Sequence, residues 1–467
     1  MPQRKDRRRF RGALGLATLL ALGSAAGAAQ GKKFTLQQLL DMARAANPGV
    51  HANAAATSAM EAQVSEAWRN WLPSGDLLSI LAPSPNIQCR GPNNEPGDEQ
   101  QCVSTQNNEA SLSNVSWNKV FTRTEIKLIQ PVWDFGKISA GVEAGRAGAA
   151  ALRQKEAGAV AEIEMNVRRA YWALKAAREA LSTLDEGTGY LDDAQKRIEK
   201  DLSEGKGNFT VTDKLRLRTT RADIETRILE ARKIADIARD GLRTLLGPDA
   251  PADLDIDDDP FEPLDIKPRP VTYYEDQARF GRPEVLALNY AVKAKHALAT
   301  LERRKEYPDL VLIGTGALAV AQTVDDPQNA FMSHYFNSST LGVAAAVRMQ
   351  LDIGPKLARA ARLNAEASEM EYRRAEALGG ILFEVRKAYA DMSEASGRVT
   401  ALEKGAKAGK AWISAVAQNL AVGLSEARDF TDALGQFFIM RLRYLQAVAD
   451  MNVAAAVLAR ATGVTTL

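Results

Sequence analysis

The groups able to do bond chemistry are few and widely spaced. The 467 residues include three histidines, His51, His296 and His334, and two cysteines, Cys89 and Cys102. The histidines lie far apart, and the cysteines lack the spacing of a zinc site. With so little histidine, no Ser-His-Asp grouping is suggested. The stretch "KGAKAGKA" at 404–411 resembles a phosphate-binding loop. It has three residues between its glycines where four are needed, and Ala411 stands where Ser or Thr would hold a metal. The expectation is no enzyme, no metal and no cofactor. What remains is a set of aspartates beside glycines. Asp134 precedes Gly136 in "PVWDFGK", and Asp352 precedes Gly354 in "MQLDIGPK". Asp213 follows Gly205, while Asp429 and Asp432 follow Gly423. An Asp near a glycine at the mouth of a helical stretch points to capping or a ring of charge, not to catalysis.

The chain opens with six basic residues and one acidic residue in its first eleven. A short apolar run and small residues follow, which reads as an export signal over 1–29. Without those eleven residues, 54 basic residues face 57 acidic ones. That balance leaves no basic patch for nucleic acid. In an exported chain, Cys89 and Cys102 read as one local disulfide across a Pro, Gly and Asn-rich loop. After the signal, no apolar run reaches the ~18 residues of a spanning helix. Any membrane crossing must therefore be made by strands.

The sequence states one unit twice. Gly136 and Gly354 are 218 positions apart, as are "VRRAY" at 167–171 and "VRKAY" at 385–389, and Gly205 and Gly423. "VTDKL" at 211–215 answers "FTDAL" at 430–434 at an offset of 219. Upstream, Asn47 corresponds to Arg282 and Pro73 to Pro308, both at 235. Fixed offsets over such lengths indicate duplication. The copies are expected at 30–247 and 271–467, around an acidic, Pro-rich connector at 248–270.

Proline placement draws the helices. No proline interrupts 132–247, nor 356 to the end, and both stretches are rich in good helix formers. Each breaks once, at 204–213 and at 422–432, where glycine and then Thr or Asp read as a C-cap and an N-cap. Each copy is thus a long helical hairpin, at about 138–246 and 356–462. The outgoing helix, about 138–202, would span roughly 95–100 Å. Its returning partner, about 213–246, covers only half of it. The helix at 48–72, with Asn47 as N-cap, supplies the missing length. The second copy repeats this with 283–307, 356–420 and 430–460. Two short helices should stack end to end beside each long one.

Each copy leaves room for two strands, at about 75–130 and 310–350. Leu341, Val343, Ala345, Val347 and Met349 alternate with small or polar residues, as in a strand with one face on lipid. Phe331, Tyr335 and Phe336, in the loop that connects this strand to its partner before it, are expected interface aromatics. Four strands cannot close a barrel, which needs about eight, so a membrane protein of this design must oligomerise.

The arrangement resembles the outer-membrane efflux proteins, the TolC-like outer-membrane factors, over nearly the whole mature chain. The marks are the duplicated strand-pair and long-helix unit, the "PVWDFGK" opening, and the glycine turn followed by an Asp-Leu stretch in each hairpin. The resemblance implies a mainly α fold with membrane β. A homotrimer would build a 12-stranded β-barrel in the outer membrane on a 12-helix α-barrel tunnel through the periplasm. It implies hairpin tips at Gly205 and Gly423 that meet a periplasmic adaptor (membrane fusion) protein. That adaptor would be linked to an inner-membrane RND, ABC or MFS transporter in an efflux or type I secretion system. In some members an Asp after the glycine lines the tunnel entrance. Here the spacing departs, and Asp213, Asp429 and Asp432 all stay open for that role. The alternative class is a periplasmic coiled-coil adaptor or scaffold, which would not need two strand pairs at the long-helix mouths. The strand-to-helix changes at Asp134–Gly136 and Asp352–Gly354 are expected to be structural, with glycine permitting the change of backbone.

Overall fold

The computed structural model describes residues 33–85, 87–90, 101–104, 115–205, 209–324, 335–422 and 424–464. The expected signal, the loop between the cysteines, Phe331, His334 and Gly423 lie outside the described residues.

The chain begins with β1 (Lys33–Phe34), α1 (Leu36–Ala46) and α2 (Pro48–Arg69). Thr35 opens α1 with a capping box: its hydroxyl accepts the Gln38 N–H, and the Gln38 side chain accepts the Thr35 N–H. β2 (Ser74–Pro85), a ribbon of β3 (Ile87–Arg90) and β4 (Gln101–Ser104), and β5 (Val115–Trp133) lead into α3 (Lys137–Glu204) and α4 (Val211–Leu246). β6 (Asp255–Ile256) lies in the acidic segment. Then α5 (Val271–Gly281), α6 (Pro283–Arg304), β7 (Asp309–Ala321), β8 (Ser338–Arg348), α7 (Ile353–Ala421) and α8 (Ala427–Thr462) follow. The long helices, of 68 and 69 residues, each run for about 100 Å.

β2, β5, β7 and β8 form one antiparallel sheet in that order. Pairing puts Leu77, Leu81, Ile126, Leu128, Leu312, Leu318, Leu341, Val343 and Val347 on one face, all exposed. Leu341 is 91% exposed. Asp76, Arg123, Glu125, Lys127 and Arg348 lie on the other face. An apolar sheet face this extensive is out of place in water and suited to lipid. Among the described residues, β2 and β8 each keep one edge unpaired. Among the described residues, no helix is long and apolar enough to cross a membrane.

α3 packs against α2 and α4, and also against α6 and α8; α7 packs against α6 and α8. The short helices meet end to end. Asn47 caps α2 by accepting the Gly49 N–H at 2.8 Å, and its amide donates to Leu245 O, at the end of α4, at 2.8 Å. Arg282, before α6, donates to Ala461 O near the end of α8 at 3.3 Å. Gly247 and Gly463 close these two joints with φ of 89° and 76°. A Cβ on Gly247 would meet Ala46 O at 2.5 Å, and one on Gly463 would meet Arg282 Cα at 2.8 Å. Glycine is needed at both for conformation and for space.

The acidic segment does not hang free. β6 pairs in parallel with β1, and Ile256 is buried with Leu39, Leu40, Val167, Tyr171, Leu174 and Val448 around the middle of α3. Its carboxylates meet the basic residues that follow "VRRAY". Arg178 binds Asp255 at 2.7 Å, and buried Lys175 binds Asp257 at 2.7 Å.

Candidate functional site

The two strand-to-helix junctions differ. At the first, Phe135 and Gly136 take φ of 54° and 79°, and buried Asp134 receives the N–H groups of Gly136 and Ile138. Asp134 thus caps α3 from two residues ahead of its N-cap position, Gly136, where the exposed N–H groups favour an anion. A left-handed φ at a bulky residue costs about 1–3 kcal/mol. Phe135 is held there by Tyr307, stacked at 5.5 Å, and by Trp133, edge-on at 6.1 Å. At the second junction the expectation fails for Gly354. It lies within the first turn of α7, without positive φ, and a Cβ there would meet nothing within 4 Å. The turn is made without it. Asp352 does not cap through its side chain either; it binds Lys356 at 2.9 Å and Arg359 at 3.0 Å. The hydrogen bond from Lys356 holds the Asp352 carboxyl below the usual carboxylate range.

The hairpin tips also divide. Gly205 ends α3 with φ 63°. Buried Asp201, which the sequence reading missed, accepts the Phe209 N–H at 2.9 Å and ties α3 to the chain entering α4. Asp213 is occupied in a capping box: it accepts the Thr210 N–H at 2.9 Å while Thr210 Oγ1 accepts the Asp213 N–H at 3.3 Å. α8 begins at Ala427, three residues earlier than expected. Asp429 therefore lies in its first turn and Asp432 in its second, so Asp432 does not cap the helix. Exposed Asp432 pairs with Arg428 at 3.8 Å. Around the tips Val211, Leu215, Val422 and Leu424 are exposed, the last by 78%.

At the opposite end, the chain entering β8 folds onto the polar sheet face. Phe336 packs edge-on against Phe121 at 5.2 Å, and Arg123 donates to Tyr335 O at 2.7 Å. Phe121 lies on the face opposite Leu318 and Val320. Tyr335 and Phe336 are therefore not on the apolar face, contrary to the interface expectation. In the β3–β4 ribbon, the backbone places Cys89 directly opposite Cys102.

The phosphate-loop lookalike is continuous helix within α7. Its glycines face α8, where a Cβ on Gly409 would meet Phe437 Cα at 3.2 Å and one on Gly405 would meet Met440 Sδ at 3.2 Å. They serve close helix packing. His51 contacts Ala45 O and His296 contacts Glu371, each through Nε2. Among the described residues, no group of three or more His, Cys, Asp or Glu is arranged to hold a metal.

What the site offers is therefore shape. An apolar-faced sheet with open edges sits on long helices whose far ends carry exposed apolar and acidic groups. Solved structures share this architecture. CusC, described in terms of folding and transmembrane channel formation, superposes with a TM-score of 0.72 at 15% identity, covering 93% of each chain. The outer membrane protein VceC of Vibrio cholerae gives 0.70 at 15% identity, covering 92% of this chain and 96% of its own. The CmeC outer membrane channel of Campylobacter jejuni gives 0.71 at 13%, covering 96% and 94%. No curated protein matches the sequence. The family model described as "Outer membrane efflux protein" matches residues 103–248 and 275–464, most of the chain. On that match, which spans both long hairpins and the second strand pair, the chain belongs to the outer membrane efflux protein family.

Proposed function

We propose that three copies assemble as a homotrimer that forms a passive export duct. A signal at 1–29 sends the chain out of the cytoplasm. Each of the two copies, 30–247 and 271–467 around the 248–270 connector, contributes one strand pair and one helical hairpin. Three chains with four strands each make a 12-stranded barrel in the outer membrane. The hairpins continue it as a 12-helix tunnel about 100 Å into the periplasm. The tips at Gly205 and Gly423 meet a periplasmic adaptor, which connects to an inner-membrane RND, ABC or MFS transporter. The transporter chooses the cargo in this tripartite efflux or type I secretion assembly. Exposed Val211, Leu215, Val422 and Leu424 give the adaptor an apolar footing.

One observation carries this reading: a four-stranded sheet has an exposed apolar face and two open edges, and it stands directly on the long hairpins. Unpaired edges in lipid cost several kcal/mol per backbone group, so the edges must find partners. A photo-crosslinker at Val422 or Leu424, in cells expressing the native neighbours, should capture a periplasmic adaptor. Capture of none, with normal outer-membrane assembly, would remove the tripartite role.

A further inference from the structure

The in-chain seam between the two copies is a template for a seam between neighbouring chains, register included. Gly75 pairs with Leu128 in the first copy; Leu310, 235 positions on, pairs with Val347, 219 positions on from Leu128. These pairs define which strand positions correspond. The strand offset of 219 exceeds the 218 of the helices because β5 holds one extra residue, at the register shift between Pro131 and Trp133, and β8 pairs without a shift. In the seam, Leu128 of β5 lies opposite Gly314 of β7. Carried through the correspondence, Val347 of β8 lies opposite Ser79 of β2 in the next copy.

We infer that β8 of one chain pairs with β2 of a second copy in this register, Val347 opposite Ser79, and that the junction below it is sealed by Leu351 and Ile353 against Leu72 of that copy. The inference rests on the trimeric reading and specifies its interface. Three independent features agree with it. First, Ser79 shares a face with Leu77 and Leu81, so this register makes the apolar face of β8 continuous with that of β2. A slip of one residue would set apolar beside polar around the barrel. Second, the in-chain seam is packed by Trp133, Phe135 and Tyr307. Their counterparts at the same offsets are Leu351, Ile353 and Leu72, all apolar and 80%, 54% and 51% exposed in the single chain. Third, Gly141 of α3 approaches Leu301 of α6, a Cβ there coming within 3.8 Å. The corresponding positions are Arg359 of α7 and Glu66 of α2 in the next copy, which are opposite in charge; Arg359, which pairs with Asp352 and Glu302 within its own chain, stays half exposed.

Directly opposite strand residues hold their Cβ atoms about 4.5–5.5 Å apart, and the near end of that range admits a disulfide, whereas diagonal neighbours about 7–8 Å apart do not. In a Cys89→Ser, Cys102→Ser background, Ser79→Cys combined with Val347→Cys should give covalent dimers and trimers when isolated membranes are oxidised. Leu77→Cys or Leu81→Cys with Val347→Cys should give several-fold less. Strongest crosslinking from either of those pairs would overturn the register and leave the trimer standing. No crosslink between chains from any of the three pairs would overturn the trimeric reading itself. If the cysteine-free background fails to assemble, the native-cysteine chain carries the test: Arg359→Glu should lower trimer yield, and adding Glu66→Arg should restore it. Failure of that restoration would refute the Arg359–Glu66 contact.

Discussion

Asp213, Asp429 and Asp432 have the same side chain at equivalent tips and different employment. Asp213 spends its carboxylate on the Thr210 cap, so Asp213→Ala should cost about 1 kcal/mol of stability, read by thermal unfolding, at unchanged conductance. Asp429 and Asp432 cap nothing through the helix's N-cap residue and stay exposed at the start of α8. Crowded around a threefold axis, such carboxylates attract cations. Asp429→Asn or Asp432→Asn should alter single-channel conductance and weaken block by multivalent cations. If neither does, the charged-entrance idea falls while the duct remains. The sequence showed these aspartates but not their division, because a three-residue shift in the start of α8 decides it. Lys175 and Asp257 were not legible as a pair at all; 82 residues separate them and only folding brings them together. Burial pushes the Asp257 carboxyl up, but hydrogen bonds from Lys175 and Tyr171 pull it below the usual range. Burial pushes Lys175 down, and its hydrogen bonds to Asp257 and Tyr171 raise it above its usual value. Asp257 thus stabilises the fold above an ordinary carboxylate pKa of about 3.9, and loses this as pH falls through its lower folded value. Lys175 does so below about 10.4, and loses it as pH rises through its higher folded value. The clamp should hold from about pH 5 to pH 9. Asp257→Asn strands a buried lysine and should cost about 3 kcal/mol. Faster proteolysis of 248–270 would report it, and unchanged cleavage would contradict it. Cys89 and Cys102, opposite in the β3–β4 backbone, should resist thiol reagents on intact cells until a reductant is added.

At the level of elements, proline-free runs and glycine breaks announced the four long and returning helices to within a few residues, because a 36- to 69-residue helix leaves a strong compositional trace. The end-to-end stacking followed from length alone. How the ends are joined did not, since Asn47 reaching Leu245 and Arg282 reaching Ala461 are contacts across 198 and 179 residues. Nor did Gly247 and Gly463 stand out among 33 glycines. Gly247→Ala should therefore destabilise the chain markedly, by more than ~1 kcal/mol, for it strains φ and drives a Cβ onto Ala46 O. Gly354→Ala, in open space on a helix, should be neutral or stabilise by up to about 1 kcal/mol. Thermal unfolding of the two variants compares them directly; equal effects would contradict the assigned roles. The β5 bulge was equally hidden. It appears in the sequence only as the drop in offset beside the junction, which the longer cysteine loop also affects.

For the whole molecule, the duplication was readable because two copies keep their spacing, and the apolar alternation of β8 was readable because one side faces no protein. The order β2–β5–β7–β8 and its open edges needed the structure. In the proposed assembly a single chain is an incomplete barrel, and three complete it. Native mass spectrometry of the protein, extracted from outer membranes in mild detergent, tests this most directly. The predicted result is a species of three chains with its strand content intact. A stable single chain that retains full strand content in detergent would contradict it.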